Sequence, residues 1–538
     1  MRYYIIIYLL ISLSINSFSQ EFTVDWGVCF GDEYENSTSR AIGILPNKHI
    51  VNSLLVSSEN DAYSNYHGGG DAWVIITDFN GNLVLESCFG GSDEDYIGEI
   101  EVFDEYIYFI GQTQSIDGDV QSEPVGGVAD IWVVKTDFDL NIIWEKRYGS
   151  LGVQQFSNSD ITEDGGLVLI MDFFVQGGGD VSEYYGNTDI WVCELDADGN
   201  IVWEKTLGNA YGNYADNIYR TSEGNTIVLG DINTASDMVD CYCHSTDGSR
   251  DIWLVALDDT GEILWQNCYG GSDWDLAYHI TETDNGYTLV GLTRSTDGDI
   301  SNSYGSDDLW LIGIDSLGNL EWEKSFGGTE LDFGNRIYKT ENNGFLLFGN
   351  TMSNDGVVNN TYCPNTQYNC PGTLWALELD SNNNMIWNKT YGSTMNNTGK
   401  KDMERAGERD FIIAGFVRYS DIHSGDVDCE PYPVNNGQSA WIYRLYDPTI
   451  GANTIGGNIK KLTVYPNPSS DQILIDLPEH HRKEEIKIID VFGREIRILK
   501  ALSQQNQILW NVQNVEAGIY FYSSKINGIN YKGKIIIN

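Results

Sequence analysis

The residues of this chain that could do chemistry are mostly carboxylates set beside glycines. Short acidic turns recur: Ser115-Ile116-Asp117-Gly118-Asp119, Ser245-Thr246-Asp247-Gly248, Ser295-Thr296-Asp297-Gly298-Asp299 and Ser353-Asn354-Asp355-Gly356. A D-G-D turn offers two carboxylates plus backbone carbonyls, and calcium takes ~6–8 such hard oxygen ligands. Asp117, Asp119, Asp297 and Asp299 are therefore the candidate metal ligands, and calcium is the candidate cofactor. The competing reading is an ordinary turn, in which Asp caps its own backbone and Gly supplies a positive φ. The complete EF-hand pattern is missing, with no D-x-D-x-D-G run and no closing Glu. Catalytic signatures are missing as well. There is no Gly-x-Ser-x-Gly, no His-Glu-x-x-His and no phosphate loop, and the seven histidines are scattered, so no catalytic residue is assigned.

The elements that position these turns announce themselves through tryptophan. Seven short motifs end in Trp73, Trp132, Trp191, Trp253, Trp310, Trp375 and Trp441, at spacings of 59, 59, 62, 57, 65 and 66 residues. A second Trp follows 12 residues later in five of them, at Trp144, Trp203, Trp265, Trp322 and Trp387, and Leu85 takes that place once. Trp26 is a second Trp with no first; Trp441 is a first with no second. The two fragments complete each other if the last repeat borrows its outer strand from the N-terminus, which closes a ring. Each repeat reads as four short strands with β-branched and aromatic content and no 3.6-residue period. The expected fold is all-β, a seven-bladed β-propeller over 20–447 followed by a small immunoglobulin-like β-sandwich. The paired tryptophans are read as packing between blades, each burying ~150–250 Å². The stretch from Ala256 to Gly270 resembles the tryptophan-docking segment of quinoprotein propellers, which implies the fold and nothing about a quinone.

Charge separates the chain into two parts. Residues 21–457 hold 71 acids and 19 bases, a balance of −52, whereas residues 458–538 hold 8 and 11, a balance of +3. So acidic a body repels nucleic acid and anionic membranes. Arg2 precedes an apolar run from Tyr3 to Ile15, and Ser17-Phe18-Ser19 suits cleavage before Gln20, so 1–19 reads as a signal peptide. No other stretch approaches a transmembrane length, so an integral membrane protein is not expected. Export permits disulfides. Of nine cysteines, Cys29, Cys88 and Cys268 share one repeat position and are expected as small buried side chains. Bridges are expected only among the loop residues Cys241, Cys243, Cys363, Cys370 and Cys429.

Residues 448–460 read as a linker, and short strands with turn signals fill 461–538. Four motifs occur there in order. They are a V-Y-P-N-P start with Tyr465, Pro466, Asn467 and Pro468, an I-x-D-x-x-G-R segment with Asp490, Gly493 and Arg494, an A-G-I-Y segment with Gly518, Ile519 and Tyr520, and a K-x-I-I-type end at Lys534. Together they resemble the type A C-terminal sorting domain of type IX secretion in Bacteroidetes. The resemblance implies passage through the periplasm and across the outer membrane, with the secretion machinery as partner. It also implies a destination at the cell surface or outside.

The function expected is a non-enzymatic binding or adhesion module with an unknown extracellular ligand, a glycan or a protein. The connections that follow the second strand of each repeat vary most, at 21 residues for Gly111 to Trp132, 19 for Gly291 to Trp310 and 26 for Gly349 to Trp375. Variable loops on a fixed scaffold are where binding concentrates. The alternative is a secreted carbohydrate-active or other hydrolytic enzyme. One inward-facing cluster that breaks the repeat, with convergent His, Glu or Arg, would favour it.

Overall fold

The computed structural model describes residues 22–30, 39–56, 63–174, 177–233, 244, 248–358, 373–391, 397–407, 409–418 and 438–447. In the C-terminal part it describes 462, 464–465, 469, 471–477, 484–490, 495–501, 507–513, 515, 518–526 and 529–537. Two compact units divide between Tyr446 and Asp447. The leader segment and the five loop cysteines lie outside the described residues. Among the described residues no helix is long and apolar enough to cross a membrane.

The first unit is a seven-bladed propeller built from seven four-stranded antiparallel sheets. Blade 2 shows the pattern, with strand A at Asp95–Phe103, B at Tyr106–Thr113, C at Asp130–Asp137 and D at Ile142–Tyr148. The A strands contact one another in sequence around the ring, and the strand at Ser39–Ile44 meets that at Asn397–Gly407, so they line a central channel. Strand D of blade 7 is Thr23–Phe30, which pairs with strand C at Gln438–Tyr446 and sets Cys29 opposite Trp441. Arg444 strengthens this closure, donating to Asp25 at 2.7 Å and to Asp410 at 2.8 Å.

Blades carry no core of their own. Seven hydrophobic clusters occupy the seven interfaces between neighbouring blades, including the one joining blades 7 and 1. Two tryptophans per repeat follow from this. The first packs back onto the preceding blade and the second forward onto the next, so Trp144 of blade 2 and Trp191 of blade 3 meet in one cluster. Six of the seven first tryptophans also donate their indole N–H to a residue 13 positions later. The pairs are Trp73 to Glu86 (3.1 Å), Trp132 to Glu145 (2.9 Å), Trp191 to Glu204 (2.8 Å), Trp253 to Gln266 (3.1 Å), Trp310 to Glu323 (3.0 Å) and Trp375 to Asn388 (3.2 Å). A buried N–H needs such an acceptor. Among the described residues Trp441 has none, because blade 7 takes its outer strand from elsewhere in the chain and Gly27 stands opposite Tyr443 where Glu86 stands opposite Ile75.

The cysteine expectation needs correction. Cys29 and Cys268 are disulfide-bonded, whereas Cys88 and Cys193 are free and buried. Strand position does not decide the outcome. The B–C segments of blades 4 and 7 contain cysteines in sequence, and that of blade 1, which holds Cys88, contains none.

The C-terminal unit forms two sheets. One orders Val464–Tyr465, Gln472–Asp476 and Gln507–Asn511; the other orders Glu495–Ala501, Glu484–Asp490, Gly518–Ile526 and Ile529–Ile537. One cluster, with Ile473, Ile488, Trp510, Tyr520 and Ile535 buried, forms its core.

Candidate functional site

Strand direction alternates within a blade, so the D–A and B–C connections emerge together on one face, here the loop face. The acidic turns lie on it and join neighbouring blades. Ser115 Oγ donates to Asp95 at 2.7 Å and accepts from Asp93 N at 2.9 Å. Asp117 accepts from Ser92 N at 2.7 Å, and Asp119 accepts from Gly90 N at 3.3 Å. Blade 5 repeats this with Ser295 on Asp275 (2.8 Å), Asp297 on Ser272 N (2.8 Å) and Asp299 on Gly270 N (3.0 Å). Blade 6 uses Ser353, Asp332 and Asp355 in the same way. Gly298 sits at φ +68°, and a Cβ there would stand 2.3 Å from the Gly270 carbonyl, so only glycine lets the turn approach.

The four carboxylates proposed for calcium thus fall in two separate blades, each engaged by main-chain N–H groups of the preceding D–A connection. Among the described residues no three His, Cys, Asp or Glu side chains are grouped to hold a metal ion. Two histidines that sequence reasoning left as scattered do adjoin these latches. His67 Nδ1 lies 3.4 Å from Asp71 and 3.9 Å from Asp119, and His244 lies 4.0 Å from Asp299. Burial pushes the Asp71 carboxyl up to about 6 against the pull of His67.

On the same face the repeat breaks. Tyr96 and Tyr214 begin the A strands of blades 2 and 4, Phe174 ends strand B of blade 3, and Trp274 precedes strand A of blade 5. They form an arc with guanidinium groups. Arg40 lies 5.5 Å from the Tyr96 ring, Phe174 and Tyr214 are 6.4 Å apart, and Arg250 lies 4.1 Å from Tyr214 and 5.0 Å from Trp274. A cavity of about 280 Å³ opens beside Tyr96 and Phe174, with Gln112, Gln114, Gln155 and Glu94 in its wall. Next to the arc, burial pushes Asp172 up to about 8, helped by Asp216 and Asp231; Asp231 accepts both contacts of a pair with Arg250, at 3.1 and 3.0 Å. No motif flagged this arc, because its members come from four blades and only Tyr96 and Tyr214 share a strand position.

Deeper in the channel lies a second irregular cluster. Glu101, Asp160 and Glu404 come from blades 2, 3 and 7, with Arg336 from blade 6 and His279 from blade 5. Burial raises Glu101 well above the carboxylate range, with Asp160, Glu99 and Glu404 adding repulsion. Burial also moves Asp160 to about 6 and Glu404 to about 7, and it lowers His279. Asp160 accepts from Arg220 N at 2.6 Å and Ile161 N at 2.8 Å. The cluster breaks the repeat, since its members come from five different blades. The cavity beside Tyr96 includes none of these carboxyls.

In the C-terminal unit three of the four motifs share one sheet. Asp490 pairs with Tyr520, Gly518 with Ile537, Ile519 with Ile536 and Lys534 with Phe521. Tyr465 is exposed on the other sheet, and Pro466, Asn467, Pro468, Gly493 and Arg494 lie outside the described residues. Residues 463–538 match the family described as the secretion system C-terminal sorting domain. The C-terminal unit is a sorting domain of that family. Such a type IX domain directs its chain through the periplasm to the cell surface or beyond, with the secretion machinery as partner.

No curated protein matches the chain. Among solved structures it is similar to the Pan2 WD40 domain of Neurospora crassa, at 10% identity over 80% of this chain and 96% of that one, TM-score 0.41. It is also similar to a protein of unknown function from Bacteroides caccae, at 11% identity over 63% and 93%, TM-score 0.33. These likenesses concern fold alone.

Proposed function

We propose that this sorted propeller is a non-enzymatic binding module that takes a carbohydrate on its loop face. The arc of Tyr96, Phe174, Tyr214 and Trp274 carries the reading, because it is where the blades stop being alike. Aromatic faces pack on the C–H faces of sugar rings, and the amides and carboxylates beside them match hydroxyls. A body at −52 disfavours a polyanionic ligand. The test is a glycan array probed with the exported protein. Binding should weaken about tenfold or more, ~1.4 kcal/mol, in Tyr214→Ala and Phe174→Ala. Absence of glycan binding, or binding indifferent to both changes, would overturn the reading.

The channel cluster favours a second reading, a hydrolase. Carboxyls held near neutrality can act as general acids. Under that reading Glu404→Gln and Asp160→Asn would abolish glycan cleavage by the exported protein while leaving loop-face binding intact.

A further inference from the structure

The face opposite the loops carries the A–B and C–D turns, and one blade interface there is built unlike the others. At four interfaces the second Trp of one blade lies on a glycine in the C–D turn of the next: Trp26 on Gly81, Trp144 on Gly199, Trp203 on Gly261 and Trp265 on Gly318. A Cβ on those glycines would stand 3.1, 2.9, 2.6 and 2.6 Å from the indole, so the pairing requires glycine. Between blades 1 and 2 both members change together, and Leu85 packs with Leu140. Between blades 5 and 6 only one changes. Trp322 is retained, and Asn383 stands at the glycine position, at φ +60°, which asparagine tolerates.

Asn383 has a Cβ, so Trp322 cannot take the usual seat. It leans over its own strand C instead, onto Gly313, where an added Cβ would lie 2.1 Å from the ring. The other blades with a second Trp place Lys135, Glu194, Ala256, Glu378 or Arg444 opposite it, and each of these carries the Cβ that Gly313 lacks. Gly313 and Asn383 are thus paired exceptions, and a cavity of about 260 Å³ opens between Trp322 and Asn383. Its wall holds the aromatic rings of Trp322, Tyr287 and Phe345. Asn343 and Asn383 add polar groups beside Asp284, whose charge Lys339 neutralises. Among the described residues the Trp322 indole N–H has no hydrogen-bond acceptor.

From this geometry we infer a second binding site, between blades 5 and 6 on the turn face, that takes one uncharged sugar ring. The volume lies just below the ~300–1,000 Å³ of clefts for larger ligands, which limits the occupant to about one ring. The aromatic walls offer a stacking surface, while the amides of Asn343 and Asn383 offer hydroxyl partners. The Lys339–Asp284 pair is satisfied within the wall, and the remaining charge there is the carboxylate of Glu321, so the site repels an anion. The site rests on different residues from the loop-face arc and stands or falls separately.

The experiment uses the intact exported protein, titrated with glucose, galactose, mannose, fucose and N-acetylglucosamine by calorimetry and tryptophan fluorescence. Asn383→Gly restores the Trp-on-glycine seat and fills the cavity, and Gly313→Ala pushes Trp322 off its own strand. At least one sugar should bind saturably to the native protein and bind about tenfold or more weakly to Asn383→Gly. That variant should melt no lower than the native protein, and Tyr214→Ala should leave this binding unchanged. Binding lost in Tyr214→Ala yet kept in Asn383→Gly would overturn the site while supporting the loop face. Silence across the panel would overturn it outright.

Discussion

The two units bury their apolar residues in opposite ways. In the propeller every cluster is shared between two blades, so no blade has a core until its neighbours are present. In the sorting domain one cluster, wholly within residues 462–537, serves two sheets of the same unit. None of the seven inter-blade clusters contains a residue beyond Leu445. The difference teaches that the core of the sorting domain is complete within its own residues, whereas each blade depends on its neighbours. Stability in the ring is a nearest-neighbour property, as in other repeat folds, with closure adding one further interface.

Removing residues 22–30 should break the comparison most severely. The deletion takes Phe22 from the interface of blades 6 and 7 and Trp26 from that of blades 7 and 1, and it exposes the edge at Gln438–Tyr446. The propeller should then lose its cooperative melting transition and aggregate, seen by calorimetry and light scattering. A smaller effect separates the units. Trp191→Ala should lower propeller stability by ~3–5 kcal/mol and leave the sorting-domain transition in place. Trp510→Ala should do the reverse, and a coupled loss of both transitions in either variant would show that the cores are not independent.

How much of this was legible depends on which residues had to agree. Blade number and ring closure follow from single tryptophans at regular spacing, and the orphaned Trp26 and Trp441 identify the closing blade. The polar residue after each of the five second tryptophans that follow a first, Glu145, Glu204, Gln266, Glu323 or Asn388, was visible in the sequence, yet its purpose appears only when an indole N–H is seen buried beside it. The acidic turns were legible as turns, but their partners lie about 25 residues away in another blade, beyond any local pattern. Cys29 and Cys268 misled because the strand position they share with the free Cys88 does not decide disulfide bonding. The aromatic arc and the cavity of Gly313 and Asn383 arise from side chains converging across blades, which no spacing rule encodes.

The channel cluster, together with Asp172 beside the loop-face arc, adds a pH dependence confined to the propeller. Asp160 rises from 3.8 to about 6, Glu404 from 4.5 to about 7 and Asp172 from 3.8 to about 8. Raised carboxyls bind protons on folding, so their contribution is complete below about pH 4 and is lost as pH rises through 6 to 8. The propeller transition should therefore fall across that window. Asp160→Asn combined with Glu404→Gln should flatten the fall and raise Tm at pH 8, with the sorting-domain transition unmoved. A profile unchanged by the double substitution would exclude these groups as its source. The smallest effect concerns calcium. Asp117, Asp119, Asp297 and Asp299 already accept main-chain N–H groups, so exchanging chelator for calcium at fixed ionic strength should leave Tm unchanged. A saturable rise, lost when the four are changed to Asn, would show that the turns open to ligate the ion.

The central claim is that residues 463–538 act as an address on a self-sufficient propeller, and one deletion tests it directly. A chain ending at residue 461 should melt with the propeller transition of the full-length protein and accumulate in the periplasm, as measured by calorimetry and cell fractionation. Arrival of that folded, truncated chain at the cell surface or in the medium at the normal level would contradict the account.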